Sequence, residues 1–277
     1  MKIRPLHSAF GGEVLDFDMG GETSPSEVDD LRDALDEYGL LLVRQGQRIA
    51  PDRHVEIGGW FGPLMDNNGV KWSVLDNEEA AGAIRLPFHS DFSYTTTPIK
   101  VISLQALAVP AGGSATAYVS NAHAWRTLDA DLQARLAKLT LRHRHSSQIT
   151  DQWPEFIADH PVRLAHPRTG EPLLYVTEHH AHRIRELEPA ESDRMLAALC
   201  AHIYAPENVY THQWRPYDLV IWDNLAVQHA RPAVAEPAAG ARILQRVAVN
   251  EASLPEILER ARRPQASARL QAIRRQG

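Results

Sequence analysis

One cysteine, Cys200, stands in a chain of 277 residues. That excludes an internal disulfide framework and suits a reducing compartment. Its neighbours Leu196, Leu199 and Ile203 mark a buried helix position more than a reactive thiol. No apolar run approaches the roughly 20 residues that a membrane-spanning helix needs. The opening Met1-Lys2-Ile3-Arg4-Pro5 lacks the apolar core of a secretory signal. A basic surplus is missing too. Lys and Arg number 29 against 35 Asp and Glu, a formal net charge of −6, so nothing global favours nucleic acid as a partner. These absences lead to the expectation of a cytoplasmic protein, off the membrane, that acts on a small molecule. Self-association is left open.

A chain of this length fills one large core, so residues 1–277 are expected to form a single domain. Ser24-Pro25-Ser26-Glu27 signals a helix start, and the pattern runs to Tyr38 and stops at Gly39. Leu40-Leu41-Leu42-Val43 then reads as a buried strand. Residues 99–109 read as another, ended by Pro110-Ala111-Gly112-Gly113. Residues 121–139 and 189–204 are helical in pattern. No repeats occur, and strands do not alternate regularly with helices, which argues against a doubly wound parallel sheet. A mainly β double-stranded β-helix (jelly-roll, cupin-like) core with flanking helices fits better. Residues 254–277 read as a helical tail ending at Arg274-Arg275, whose charges suit the negative end of a helix.

The chemistry concentrates in two stretches. Pro87-Phe88-His89-Ser90-Asp91 holds a His-x-Asp pair, and Leu219-Val220-Ile221-Trp222-Asp223-Asn224 leads on to His229. With 14 histidines in the chain, chance supplies about one His-x-Asp spacing, so the spacing alone carries no weight. Its context does. On a strand, residues i and i+2 share a face, so His89 and Asp91 would point one way and Phe88, Ser90 and Phe92 the other. A turn with Asp91 as a cap is the plainer reading. Residues 219–222 form a short apolar strand entered through the turn Arg215-Pro216-Tyr217-Asp218. A lone histidine beside such a strand is usually structural. Taken together, His89, Asp91 and His229 can make the two-histidine, one-carboxylate set that holds Fe(II) and leaves its other face open.

Downstream, a strand through Arg242-Ile243-Leu244-Gln245-Arg246 puts Arg242, Leu244 and Arg246 on one face. A guanidinium stays charged, so two of them on a buried face call for anions. A bidentate carboxylate is the natural partner. For either arginine alone, exposure to solvent is the plain alternative, and Asp223 is the nearest protein carboxylate in sequence for Arg246.

Other histidine groups compete. His179-His180-Ala181-His182 follows the strand-like Leu173-Leu174-Tyr175-Val176, but neighbouring strand residues point apart and no cysteine completes a zinc set. Lining a pocket suits these histidines better. His143 and His145 share a strand face, with solvent exposure as the default. His54 and Glu56 fall in a helix pattern, where i and i+2 diverge.

In its ordered blocks the chain resembles the taurine dioxygenase and 2,4-dichlorophenoxyacetate dioxygenase (TauD/TfdA) family of Fe(II)/2-oxoglutarate-dependent oxygenases. The blocks include residues 3–18 and 31–44, Phe61-Gly62-Pro63-Leu64, Gly112-Gly113 with Thr116, residues 189–192 and residues 214–224, within about 1–253. The resemblance implies that His89, Asp91 and His229 ligate iron and that Arg242, helped by the Thr116 hydroxyl, holds the distal carboxylate of 2-oxoglutarate. Arg246 would face an anionic substrate, joined by Arg85, Asn67 and His180. Relatives acting on such anions often carry a histidine just after the Phe-Gly-x-Leu block, where this chain reads Met65-Asp66-Asn67-Asn68. The implied reaction consumes 2-oxoglutarate and O2, releases succinate and CO2, and oxidises a small molecule. Asp91 favours hydroxylation, because relatives that halogenate lack that carboxylate. Desaturation or another oxidative tailoring stands behind it. A non-oxidative cupin-like metal enzyme and an inactive binding protein are the readings from other classes.

Overall fold

Four apolar residues in a row leave no polar face, so the strand Leu40–Val43 (β3) must be covered on both sides. All four residues are buried. The computed structural model describes residues 1–77, 85–111, 113–145, 156–233 and 240–262. Leu40 and Leu42 pack into a core between two sheets, while Leu41 and Val43 pack beneath helices. The neighbouring strand Leu219–Asp223 (β14) divides the same way, with Val220 and Trp222 inward and Leu219 and Ile221 outward.

The larger sheet has seven strands. Their order is β1 (Ile3–Pro5), β2 (Gly12–Val14), β3, β14, β6 (Val101–Ala108), β16 (Arg242–Val249) and β4 (Ser73–Asn77). The smaller sheet runs β13 (Tyr210–Gln213), β7 (Ala115–Ser120), β15 (Val227–Arg231) and β5 (Leu86–His89), antiparallel throughout. Between them lies an apolar core that includes Leu42, Leu104, Tyr118, Val220, Trp222 and Leu244. This is the double-stranded β-helix expected from the irregular succession of elements. A three-stranded sheet, β12 (Ala181–Ile184), β8 (Thr140–His145) and β9 (Phe156–Pro161), stands beside it with the hairpin β10 (Arg163–Ala165) and β11 (Pro172–Leu174).

Helices cover the outer faces. α1 (Pro25–Tyr38) begins with a reciprocal Ser24–Glu27 capping box and ends on Gly39 at φ 69°, a left-handed position that glycine takes without strain. It buries Leu31, Ala34 and Leu35 against the larger sheet, as does α2 (Pro51–Gly59) through Ile57. Residues 121–139 form not one helix but two, α3 (Asn121–Arg126) and α4 (Ala130–Leu136). Extended Asp129 separates them, and its carboxylate accepts the Leu132 N–H at 2.8 Å and restarts the helix. α5 (Pro189–Ile203) packs Leu199 and Ile203 over the smaller sheet. Within it Cys200 is half-buried, and burial pushes its thiol up to about 11, which suits an inert packing role. α6 (Leu254–Arg262) opens the tail. Gly112 and residues 263–277, with Arg274 and Arg275, lie outside the described residues. Among the described residues no helix is long and apolar enough to cross a membrane.

Candidate active site

Strand register assembles the site. His89 at the end of β5 lies directly opposite His229 of β15, which lies opposite Tyr118 of β7. Paired residues project from the same face of a sheet, so both imidazoles enter the space between the sheets beside the core residue Tyr118. Their ring centroids are 4.2 Å apart. His89 Nδ1 lies 2.8 Å from the Pro87 carbonyl. A carbonyl only accepts, so Nδ1 carries the proton and Nε2 keeps its lone pair for a metal.

Contrary to the strand expectation, Asp91 is not on β5. The strand ends at His89, and Asp91 begins a turn in which Phe92 takes φ 58°. Buried Asn224 holds that turn. Its side-chain carbonyl accepts the Asp91 N–H at 3.0 Å, and its amide donates to the carbonyls of Asp91 (3.1 Å) and Ile99 (2.8 Å). So oriented, Asp91 Oδ1 lies 3.3 Å from His89 Nε2 and 3.7 Å from His229 Nε2. One nitrogen or oxygen from each of the three residues falls within 4.8 Å of the others. Burial would raise the Asp91 carboxyl, but the adjoining His89 and the Arg246 guanidinium outweigh it and hold it well below the usual range. Burial, reinforced by His89, pushes His229 down to about 3, so it stays a neutral ligand at pH 7. This donor set, two imidazoles and one ionised carboxylate, fits Fe(II).

The facing sheet supplies a cation. Arg242 of β16 is buried, and its Nη2 donates to a hydroxyl, Thr116 Oγ1, at 2.9 Å. Among the described residues its Nε has no partner and no carboxylate pairs with it. Burial pulls its pKa down to about 10, which leaves it charged at pH 7. Thr116 Oγ1 also accepts the Trp214 indole N–H at 2.9 Å. With both lone pairs engaged, the Thr116 proton is free for an incoming acceptor. A buried, half-satisfied guanidinium beside that hydroxyl fits an exogenous carboxylate.

The remaining candidates scatter. Arg246 Nη2 donates to Asp91 Oδ2 at 2.7 Å, so its protein carboxylate is Asp91 and not Asp223. Asp223 instead pairs with His166 at 2.8 Å, because its strand end faces the β10–β11 hairpin loop. Arg85 is exposed and held by both Glu178 oxygens. Asn67 gives its N–H to the Val70 carbonyl in a surface turn, and no contact ties it to the metal-type group among the described residues. His180 is brought close, its ring 5.8 Å from that of His89. His143 is fully buried, not solvent-exposed, because β8 lies between two partner strands and its inner face packs on Tyr175 and His160. His54 and Glu56 form no ligand pair. His54 is turned inward to Ser103, and Glu56 outward to Arg53. Asn224 and Trp214 acquire roles that single-sequence reading did not assign them. Both lay inside a recognised block, but their contacts are made with segments about a hundred residues away.

The family described as "Taurine catabolism dioxygenase TauD, TfdA family" matches residues 2–248. Over 258 residues the chain is 30% identical to an (S)-phenoxypropionate/alpha-ketoglutarate-dioxygenase of Sphingobium herbicidovorans, covering 82% of this chain and 88% of the relative. It is 28% identical over 262 residues to the alpha-ketoglutarate-dependent 2,4-dichlorophenoxyacetate dioxygenase of Cupriavidus pinatubonensis, covering 81% and 90%. A crystal structure of a taurine dioxygenase from Burkholderia xenovorans matches with a TM-score of 0.80 at 26% identity, covering 90% of each chain. The chain belongs to the TauD/TfdA family. It is a 2-oxoglutarate (alpha-ketoglutarate)-dependent dioxygenase that uses Fe(II), 2-oxoglutarate and O2.

Proposed function

We propose that His89, Asp91 and His229 hold the iron, that Arg242 and Thr116 hold the distal carboxylate of 2-oxoglutarate, and that the chain hydroxylates a small anionic organic molecule. The observation that carries this reading is the convergence of His89 Nε2, His229 Nε2 and Asp91 Oδ1 beside a buried arginine that has no carboxylate partner among the described residues. In balance, substrate C–H, 2-oxoglutarate and O2 give C–OH, succinate and CO2. The iron with its co-substrates supplies the oxidant.

The chain's own residues do the rest. Arg242 offers its Nε and remaining N–H groups to the far carboxylate, and Thr116 donates its free proton to the same group. Trp214 and Arg242 fix that hydroxyl by occupying its lone pairs. Arg246 spends one N–H on Asp91 and keeps others for the anionic group of the substrate. Two relatives point to such a group, being named for phenoxypropionate and 2,4-dichlorophenoxyacetate, both carboxylates.

Anaerobic addition of Fe(II) and 2-oxoglutarate should produce a weak visible charge-transfer band, absent in His89→Ala and His229→Ala. Full-strength bands in both variants would reject the ligand assignment. A panel of small carboxylates and sulfonates, scored by product coupled to succinate, should then reveal the substrate. Turnover confined to neutral or cationic compounds would reject the anion.

A further inference from the structure

Strand geometry would point His179 and His180 apart, but they lie in the turn at 178–180, not on a strand. There the two rings come within 4.4 Å of each other. His145, at the end of β8, joins them, with its ring 5.6 Å from His180 and 6.4 Å from His179. One ring nitrogen from each of the three falls within 4.8 Å of the others, the same closeness reached by His89, Asp91 and His229. The two groups share no residue, although the rings of His179 and His180 are each 5.8 Å from that of His89.

We propose that His145, His179 and His180 form a second metal site, for a borderline transition-metal dication of the Zn2+ type, separate from the iron position. Three imidazoles with one open position are a ligand set that Zn2+ accepts. With no carboxylate in the group, the site disfavours Mg2+, Ca2+ and Mn2+, whereas the first group carries the oxygen ligand that suits Fe(II).

The surroundings orient two of the three ligands. His180 is buried, and its Nδ1 lies 3.0 Å from Ser93 Oγ. With the serine oxygen accepting, Nε2 is left bare, the arrangement by which an outer hydroxyl fixes a metal-ligating histidine. Tyr94 stacks on His145 at 4.6 Å and 19° and meets His180 edge-on at 4.7 Å. The backbone ties the same segments. The Arg144 N–H donates to the His180 carbonyl at 2.9 Å, and the His179 N–H to the Phe88 carbonyl at 3.1 Å. His179 is the exposed member. Tetrahedral Zn–N bonds of about 2.1 Å require nitrogens about 3.4 Å apart, so its free side chain is the one that closes on the ion. His182, next in the run but exposed at a β-bulge, takes no part. Three neutral imidazoles leave the dication's charge uncompensated, so the fourth position takes water, hydroxide or an anion.

Equilibrium dialysis of the full chain against Zn2+ counts the ions. The wild type should bind two, because the first group also accepts Zn2+. His145→Gln/His179→Gln should bind one, and His179→Gln alone should weaken the second ion at least tenfold. His89→Ala/His229→Ala should retain an ion that disappears when His145→Gln/His179→Gln is added. One ion in both the wild type and His145→Gln/His179→Gln would overturn the second site, and so would two ions in both. His179 is exposed and His145 half-buried, so these replacements leave the core intact. Loss of the first ion alone concerns only the iron assignment, so the two readings fail separately.

Discussion

Arg246 donates to Asp91 Oδ2 at 2.7 Å, while the other oxygen of that carboxylate, Oδ1, is the one facing both His89 and His229. The guanidinium thus selects which oxygen is free for the metal. Outer partners of this kind are worth about 10–100-fold in metal affinity. Arg246→Gln should therefore raise the Fe(II) dissociation constant by about that factor in an anaerobic titration. An unchanged constant, with only the substrate requirement raised, would make Arg246 a substrate residue alone.

Asn224 does for the Asp91 backbone what Arg246 does for its carboxylate. Asn224→Ala leaves the Asp91 N–H and the carbonyls of Asp91 and Ile99 without partners. Buried groups stripped in this way cost about 1–3 kcal/mol. Denaturant unfolding should show a loss of that order, and Fe(II) binding should weaken alongside it. Stability lost with iron affinity intact would separate the turn from the site.

Arg242→Ala removes the only buried guanidinium that the Thr116 hydroxyl accepts from among the described residues. If it pairs with 2-oxoglutarate, the co-substrate should bind more weakly by on the order of 2–5 kcal/mol while Fe(II) affinity changes little. Thr116→Val, which keeps the shape and removes the hydroxyl, should cost about 1 kcal/mol in the same assay. Normal 2-oxoglutarate affinity in Arg242→Ala would move the anchor elsewhere.

His54 is buried on α2. Its Nδ1 accepts from the Gln245 amide at 2.9 Å, and its Nε2–H donates to Ser103 Oγ at 2.6 Å. Burial pushes its pKa down to about 3. In the unfolded chain a histidine titrates near pH 6.5, roughly, so on acidification the unfolded state takes the proton first. The stability from neutral His54 is whole above that pH and is lost as pH falls toward the folded value, at up to about 1.4 kcal/mol per pH unit. Between about pH 6 and 4 the melting temperature of His54→Gln should fall less steeply than that of the wild type. Parallel slopes would show that His54 does not set the acid sensitivity.

What could be read in advance was local. The capping box at Ser24, the Gly39 stop, the apolar run of β3 and the stretches that hold His89, His229, Arg242 and Thr116 are short segments whose periodicity or block order is visible. Partners that depend on register were not. Nothing near His89 announces that β15, 140 residues away, sets His229 across from it, or that Asp91 leaves the strand because Asn224 captures its backbone. His143 looked like a surface histidine because burial in β8 is decided by β9, β12 and Tyr175, not by its own neighbours. For Arg246, sequence distance offers Asp223 as the protein alternative to a substrate anion, and the fold brings Asp91 instead.

Among the described residues β5 is the outermost strand of the smaller sheet, paired with one strand, β15, in an irregular register between His229 and Arg231, and touched on its other side by the turn at 178–179. An ion gripped by His89 and His229 is therefore also a clasp across that seam. Ligand bound only to the closed form protects it by RT ln(1 + [L]/Kd), about 2.7 kcal/mol at a hundredfold excess over Kd. Amide hydrogens of β5 should exchange about a hundredfold more slowly with iron than without, while those of β3, enclosed on both faces, stay as they were. Depriving the cell of iron would then do more than idle the enzyme. It would loosen the edge of the smaller sheet, a place for a protease or a second unpaired strand to take hold.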